Sequence, residues 1–216
     1  MVPMAAVEQL SGNKCRHLRF FETPLDNRRQ HRSSTGLGSE MTTKLTPGEE
    51  IPDIVLPLLG GGETKLGSPN DGSVWRIIIV YRGKHCGVCT RYLGALNAIL
   101  SDLEALKVDL LGVSADTQEK AKAQMELVKP EFPVAYGLSV QQMRELGLFV
   151  SDPRSALETD APFSEPGLFV VNGEGILQIV DIANYPFMRP DLEWLVKGIG
   201  FALNPENNYP IRGTKV

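Results

Sequence analysis

Hydrophobic and polar positions along the chain fall into blocks, and each block has the period of one kind of element. The runs 75–81 and 108–113 are predominantly apolar, which is typical of strands that are covered on both faces. Between these runs, leucine and isoleucine recur at spacings of three and four from Leu93 to Leu106, which predicts an amphipathic helix. The pattern therefore predicts a β-α-β unit in this part of the chain.

The remaining predicted elements are shorter and are bounded by turn signals: strands over 54–59 and 132–138, helices over 139–146 and 190–203, and a hairpin over 167–182. A further helix is predicted to end by Pro130, with Asp116 as its N-cap and Glu119 three residues later, as in a capping box. The sum predicts an α/β protein with a central mixed β-sheet flanked by α-helices.

The first forty residues differ in composition from the rest. The segment 27–40 is polar, rich in Arg, Ser and Gly, and has neither a helical nor a strand period. Such a segment buries too little apolar surface to offset the entropy cost of ordering it. We therefore predict a flexible N-terminal extension over 1–40 and one folded domain over 41–216. The extension also has some features of a transit peptide, but its acidic residues argue against one.

Composition excludes several classes of function. The formal net charge of −4 shows no basic excess, so we expect no nucleic-acid partner. The apolar runs are shorter than the roughly 18 residues of a spanning helix, so we expect no membrane partner. Three cysteines are too few for a disulfide scaffold, and a reducing, cytoplasmic location is the expectation.

Two of the three cysteines lie three residues apart in 81-YRGKHCGVCTRYL-93, at the predicted junction of strand and helix. The first turn of a helix offers unpaired N–H groups and the positive end of the helix dipole, and both favour a thiolate. Cys86 would lie at the mouth of the helix and Cys89 nearly one turn further in. This spacing lets one sulfur attack a substrate and the other close a disulfide behind it. Nearby positive charge is predicted from Lys84, His85 and Arg91.

Other interpretations of these residues remain. The cysteines are either a redox pair or two buried structural thiols, and His85 is either an exposed neighbour or a proton relay. A zinc site needs about four ligands. Besides His85, the candidate ligands lie in the extension: Cys15, His17 and His31. We therefore expect no metal. We also expect no cofactor, because the glycines of 173-GEG-175 are not followed by a helix that would make a phosphate loop.

The segment 80–93 resembles the active-site region of peroxiredoxins, the alkyl hydroperoxide reductase/thiol-specific antioxidant (AhpC/TSA, redoxin) group of the thioredoxin superfamily. That region has a strand, then P-x-x-x-T-x-x-C, then a helix. In an ungapped match Cys89 takes the peroxidatic position, Cys86 the threonine and Arg82 the proline. The segments 112-GVSADTQEKAKAQ-124 and 167-GLFVVNGEGILQ-178 also look like family segments. The resemblance implies a thioredoxin-like fold for the folded domain.

The chain also departs from the common peroxiredoxin pattern. Cys86 replaces the threonine, and Pro166 stands where those proteins carry an arginine. A proline before this strand is instead the thioredoxin pattern, so we predict a cis Glu165–Pro166 bond facing the cysteines as a docking edge for another chain's disulfide. Arg189 falls where the family keeps a second arginine, although a surface cation fits the position equally well. The segment 82-RGKHCGVC-89 is similar to peroxiredoxin-like proteins with an R-G-x-x-C-x-x-C motif.

The resemblance implies a thiol-dependent oxidoreductase that cycles Cys86 and Cys89 between dithiol and disulfide. In one chemistry Cys86 attacks a protein disulfide and Cys89 resolves the mixed disulfide. In the other, a hydroperoxide oxidises Cys89 to a sulfenic acid, with which Cys86 condenses. The implied partner is a reductant such as a thioredoxin or glutathione system, and a homodimer is a candidate assembly. The alternative is a non-catalytic binding or scaffold protein on the same fold.

Overall fold

The computed structural model of the chain describes residues 44–215, in which strands and helices alternate. The strands are β1 (Val55–Pro57), β2 (Glu63–Lys65), β3 (Trp75–Val80), β4 (Val108–Val113), β5 (Val134–Ala135), β6 (Val150–Ser151), β7 (Phe163–Ser164), β8 (Gly167–Asn172) and β9 (Leu177–Ile182). The helices are α1 (Gly87–Leu96), α2 (Leu100–Ala105), α3 (Gln118–Val128), α4 (Val140–Glu145) and α5 (Leu192–Leu203). Short 3-10 turns lie at Asn97–Ile99 and Pro205–Asn207.

Five strands form the central sheet, in the order β5-β4-β3-β8-β9. β3 pairs in parallel with β4 over its whole length, from Trp75 opposite Val108 to Val80 opposite Val113. β3 also pairs antiparallel with β8, and β8 forms an antiparallel hairpin with β9. Because parallel and antiparallel pairs share one sheet, the predicted mixed α/β architecture is confirmed. β1 with β2, and β6 with β7, make two small accessory ribbons.

The apolar run 77–80 of β3 is explained by a core on each face of the sheet. Ile77 and Ile79 belong to one buried cluster, which includes Leu93 of α1 and is contacted by α5. Ile78 and Val80 alternate with them and pack on the other face, in a cluster that includes Met143 of α4. Burying one such side chain stabilises the fold by roughly 1.5–3 kcal/mol. The double-sided burial holds the end of β3, and the turn after it, in a fixed place.

Several element boundaries differ from the sequence prediction. The helix predicted from the leucine pattern begins earlier, at Gly87, and the 3-10 turn at Asn97–Ile99 divides it. β2 was not predicted because its three residues are polar and have no alternating pattern. The N-cap prediction at Asp116 is wrong by one residue. Thr117 caps α3, and its hydroxyl accepts a hydrogen bond from the Lys120 N–H at 3.4 Å.

Some predictions concern residues outside the described part of the chain: the flexible extension over 1–40, together with Cys15, His17 and His31. Within residues 44–215, no helix has both the length and the apolar character needed to cross a membrane.

Candidate active site

A tight turn connects β3 to α1 and presents the two cysteines. The Cys86 N–H donates to the Gly83 carbonyl at 3.1 Å, which closes the turn. Gly83 has φ +123°, a conformation that side chains strongly disfavour, so the turn requires glycine at this position. The turn therefore ends with Cys86 directly before the first helical residue, which is the predicted position at the helix mouth.

Cys86 is the N-cap of α1, and its sulfur accepts the capping hydrogen bond. The Cys89 N–H donates to Cys86 Sγ at 3.3 Å. The Cys89 thiol also points at this sulfur, with the two Sγ atoms 2.7 Å apart. Both cysteines are free thiols, and their separation exceeds the roughly 2.05 Å of a disulfide bond. The two sulfurs are thus in contact and positioned to form a bond when one of them is oxidised.

The surroundings shift the pKa values of the two thiols in opposite directions. The hydrogen bond from Cys89 is the main cause that lowers the pKa of Cys86, from 9.0 to about 6, against the effect of burial. The Cys89 N–H and the Arg82 charge lower it further. The same hydrogen bond, followed by burial, raises the pKa of Cys89, although the Arg189 charge opposes the rise. We therefore assign the negative charge of the reduced pair to Cys86 and the proton to Cys89.

Arg82 lies on the Cys86 side of the pair, between two carboxylates. Its Nη2 is 3.6 Å from Glu158 Oε1, and its Nε is 3.3 Å from Glu165 Oε2. Its guanidinium carbon also lies 4.6 Å from the centre of the Phe163 ring. The predicted site residue is therefore part of the site, but much of its positive charge is neutralised by its neighbours.

His85 lies in the same region and does not supply the positive charge that the sequence predicted. Its ring packs against Phe163, with the ring centres 4.5 Å apart. Burial, followed by the Arg82 charge, lowers the pKa of His85. Both ring nitrogens are buried without a hydrogen-bond partner among the described residues. The ring is therefore neutral at neutral pH and fills space between the turn and β7.

Arg189 lies on the Cys89 side, although it is 100 positions away from this cysteine in the chain. Its Nη2 donates to Cys89 Sγ at 3.1 Å, and its Nε donates to the Pro186 carbonyl at 3.2 Å. The guanidinium also lies over the Tyr92 ring, 5.0 Å from its centre. The Tyr92 hydroxyl in turn donates to the Pro190 carbonyl at 3.2 Å. Arg189 is thus a fixed cation at the inner sulfur and not a free surface charge.

The prediction of a cis bond before Pro166 is wrong, because residues 44–215 contain no cis peptide bond. Hydrogen bonds on both sides hold the chain in an extended path through this point. The Glu165 N–H donates to the Phe149 carbonyl at 2.8 Å, and the Pro166 carbonyl accepts from the Ala183 N–H at 3.0 Å. The proposed docking edge for another chain's disulfide therefore loses its structural basis.

Pro166 is nevertheless connected to the site through Arg189, with which it shares a pocket. It lines a small apolar pocket beside the Cys89 side of the pair, together with Ile79, Tyr92, Leu168, Met188 and Arg189. The sequence did not single out Ile79, Leu168 or Met188. Ile79 comes from β3, Leu168 from β8 and Met188 from the loop before α5. The sheet topology brings them together, and no local motif marks them.

Sequence reasoning also missed four residues around the site: Tyr92, Glu158, Phe163 and Glu165. Glu165 precedes the predicted Pro166, which is the one local signal that pointed to it. Glu158 comes from the loop between β6 and β7, and Phe163 is the first residue of β7; the sequence pattern did not show the pairing of these two strands. No cluster of three or more metal-ligating side chains occurs within residues 44–215. The arrangement is suited to thiol chemistry that uses the two sulfurs themselves.

Comparison with known proteins gives consistent results. The sequence model of the AhpC/TSA family matches residues 47–180. A probable 1-Cys peroxiredoxin of Syntrichia ruralis is 28% identical over 137 residues, which are 61% of this chain and 62% of that protein. The putative peroxiredoxin YkuU of Bacillus subtilis is 25% identical over 149 residues, 66% of this chain and 78% of that protein. The chain thus spans less than two thirds of the Syntrichia protein.

Solved structures are similar in fold. A mutant of peroxiredoxin 6 from Arenicola marina superposes with a TM-score of 0.62 at 18% identity, covering 72% of each chain. AhpC of Enterococcus faecalis gives a TM-score of 0.61 at 18% identity, covering 78% of this chain and 99% of that one. At such low identity these similarities concern the fold alone, and they confirm the predicted thioredoxin-like fold.

Proposed function

The chain belongs to the AhpC/TSA family, as a peroxiredoxin-like member of the thioredoxin superfamily, and from this premise we propose that it is a thiol-dependent oxidoreductase that reduces hydroperoxides. In the proposed cycle the enzyme itself is oxidised from the dithiol to a Cys86–Cys89 disulfide. The observation that carries the proposal is the 2.7 Å contact between two free sulfurs with unequal surroundings.

The first step of the proposed cycle is attack by the Cys86 thiolate on the outer oxygen of the hydroperoxide. The S–O bond forms as the O–O bond breaks, and the departing alkoxide takes a proton to become an alcohol. Cys86 is thereby oxidised to a sulfenic acid. Cys86 is the better nucleophile in the resting pair because its pKa is lowered and it caps the N-terminus of α1. Both cysteines are buried, with Cys86 4% and Cys89 0% exposed, so the hydroperoxide must reach a nearly closed site.

In the second step Cys89 attacks the oxidised sulfur of Cys86. The S–S bond forms as the S–O bond breaks, and the leaving hydroxide takes the Cys89 proton to become water. The two sulfurs need little movement, because they are already in contact. Two electrons from an external thiol reductant, either one dithiol as in a thioredoxin system or two monothiols as in a glutathione system, then return the pair to the reduced state by disulfide exchange.

The order of attack distinguishes this proposal from the family alignment. Ungapped matching assigns the peroxidatic position to Cys89, which is fully buried, whereas Cys86 is 4% exposed. The unequal pKa values favour Cys86 instead. Reduction of protein disulfides is a second candidate function, because a helix-capping thiolate at Cys86 is also the nucleophile that disulfide exchange requires.

The proposal is tested by trapping sulfenic acid in single-cysteine variants. All variants carry Cys15→Ser, so that the third cysteine does not react. After one equivalent of an alkyl hydroperoxide, Cys89→Ser should carry a sulfenic acid on Cys86, located by mass spectrometry of the trapped peptide. Cys86→Ser should consume the hydroperoxide at least about 100-fold more slowly, since the Cys89 sulfur that remains is fully buried and burial still raises its pKa.

Three other outcomes would contradict parts of the proposal. Sulfenic acid on Cys89 in the Cys86→Ser variant would reverse the order of attack. Slow peroxide consumption together with rapid reduction of insulin disulfides would favour the second candidate function. If both cysteines of the Cys15→Ser protein stay reduced under peroxide and under oxidised insulin, the enzyme proposal fails and the scaffold hypothesis takes its place.

A further inference from the structure

Asp116 is a buried carboxylate that the proposed chemistry does not use. It lies between the end of β4 and the start of α3, and only 7% of its surface is exposed. Its Oδ2 accepts a hydrogen bond from the Lys84 backbone N–H at 2.7 Å. Lys84 belongs to the turn that follows β3, the strand parallel to β4. The carboxylate therefore connects the ends of two neighbouring strands at the point where the cysteines begin.

Gly83 provides the space that this carboxylate occupies. A Cβ atom on Gly83 would lie 2.6 Å from Asp116 Oδ1 and 2.8 Å from Oδ2, which is closer than atoms approach without displacement. The carboxylate thus packs directly on the bare Cα of the turn. The glycine is required twice, once for its positive φ angle and once for this contact.

The backbone of Asp116 is itself held in place. Its carbonyl accepts a hydrogen bond from the Gly137 N–H at 3.0 Å, and its own N–H donates to Ser114 Oγ at 3.4 Å. Asp116 is therefore a fixed point, and Lys84 is tied to it. Because the Cys86 N–H in turn bonds the Gly83 carbonyl at 3.1 Å, the restraint passes along the turn to the capping cysteine.

We propose that Asp116 is a positioning residue that holds the turn 83–86 so that the Cys86 sulfur stays over the N-terminus of α1. In that position the sulfur accepts the Cys89 N–H and carries negative charge. The consequence for catalysis rests on the proposed role of Cys86 as the attacking thiol. The positioning itself does not, because it is measured on the thiol without any peroxide.

Two physical effects of removing Asp116 have opposite signs, and this makes the proposal testable. As a nearby negative charge alone, Asp116 disfavours the Cys86 thiolate, so its removal would make the thiol more acidic. As a positioning group, it favours the thiolate, so its removal would make the thiol less acidic. A purely structural role elsewhere in the fold would change neither.

The experiment measures the rate of alkylation of Cys86 by iodoacetamide against pH, in the full chain carrying Cys15→Ser. For Asp116→Ala we expect the rate at pH 5 to fall about 10-fold and the midpoint to move up by about one unit. Asp116→Asn keeps one acceptor oxygen and nearly the same volume, so we expect a rate within about 3-fold of the parent. Gly83→Ala, which displaces the carboxylate, should shift the midpoint in the same direction as Asp116→Ala.

Asp109→Asn is the matched control. Asp109 is an acidic residue of β4, the strand that leads to Asp116, and lies near the other end of that strand, where it pairs with the buried Arg76 at 2.8 Å. We expect this variant to lower the urea midpoint without changing the titration of Cys86. The positioning role is overturned if Asp116→Ala leaves the Cys86 midpoint unchanged or lowers it, if Asp116→Asn behaves as Asp116→Ala does, or if Asp109→Asn gives the same shift.

Asp116→Ala must also fold for its result to count. If its far-ultraviolet circular dichroism is lost, Gly83→Ala provides the deciding measurement, since it leaves the carboxylate in the chain. An unchanged Cys86 midpoint in folded Gly83→Ala overturns the proposal. If the unsubstituted protein does not reduce peroxide although its Cys86 is alkylated normally, the proposed function is refuted. The positioning role is unaffected by that result.

Discussion

The two sides of the cysteine pair each contain an arginine, but the two arginines have different neighbours. On the Cys86 side, Arg82 is held between the carboxylates of Glu158 and Glu165 and under the Phe163 ring. On the Cys89 side, Arg189 contacts a carbonyl, an aromatic ring and the sulfur itself. Among the ion pairs of residues 44–215, none involves Arg189.

The difference indicates two separate tasks. Near Cys86, the partly neutralised charge of Arg82 favours a thiolate in the resting protein. It does not stabilise the thiolate so strongly that the sulfur loses its nucleophilicity. The Arg189 charge beside Cys89 has no ion-pair partner among residues 44–215. Its largest effect comes later, when Cys89 must lose its proton to close the disulfide. The comparison therefore predicts that the two arginines control different steps of the proposed cycle.

The largest effect is expected from Arg189→Met, which should slow closure of the disulfide by about 100-fold, in the range seen when one donor to a developing anion is removed. The first oxidation of Cys86 should continue at nearly the parent rate. Sulfenic acid on Cys86 should therefore accumulate, and rapid quenching followed by trapping and mass spectrometry measures it.

Arg189→Lys is the control for this prediction. It keeps the positive charge but loses the planar geometry that bonds the sulfur, the Pro186 carbonyl and the Tyr92 ring together. We expect an intermediate closure rate. If the Arg189 variants slow the first oxidation of Cys86 and leave disulfide closure unchanged, then Arg189 acts on the attacking sulfur. The assignment of the two arginines to different steps would then be wrong.

A smaller effect is expected from Arg82→Met, because the Arg82 charge is only one of several causes of the lowered Cys86 pKa. Loss of the charge should raise that pKa, and alkylation of Cys86 by iodoacetamide at pH 6 should fall by up to about 10-fold. The closure rate should not change. Arg82→Met leaves Glu165 without its cationic partner, whereas Glu158 keeps Arg154 at 3.1 Å. The double variant with Glu165→Gln therefore separates loss of charge from loss of stability.

Glu165→Gln alone should give a shift of the opposite sign and of smaller size. It removes one of the two charges that oppose Arg82, so the pKa of Cys86 should fall further and alkylation at pH 5.5 should rise by about 3-fold. The amide oxygen can still accept the hydrogen bond of the Ser151 hydroxyl, which lies 2.7 Å from Glu165 Oε1. A fall in the alkylation rate would show that Glu165 supports the thiolate by shape and not through Arg82.

The Cys86 side of this comparison was largely predictable from sequence, because its parts are local. The predominantly apolar run predicted β4 at residues 108–113, as the structure has it, and the strand-to-helix junction placed Cys86 at the helix mouth. The error at Asp116 is also local in origin. Asp116 and Thr117 are both good N-cap residues, and only the tertiary contact with Lys84 decides which of them caps α3.

The Cys89 side was less predictable, because distant segments build it. The sequence proposed Arg189 by resemblance, but its contact with Cys89 depends on the way the loop after β9 returns to the sheet. The trans bond at Pro166 has a similar cause. Hydrogen bonds from β9 and from the segment before β6 hold the extended path, and no sequence pattern near Pro166 encodes them.

The last prediction concerns stability and changes no rate. The folded-state pKa of Cys86 is about 6, below its ordinary value of 9.0, so the unfolded chain binds more protons between these values. Stability of the reduced protein should therefore rise with pH from about 6 to about 9 and be lost as the pH falls through about 6. Urea midpoints of the Cys15→Ser protein measure this rise, and Cys86→Ser should remove it. Arg82→Met should raise the folded-state pKa of Cys86, so stability should begin to rise at a higher pH. Arg189→Met acts on Cys89, so stability should begin to rise at the same pH as in the parent. If Cys86→Ser retains the full rise, the thiolate of the resting protein is not on Cys86, and the division of tasks between the two arginines fails at its starting point.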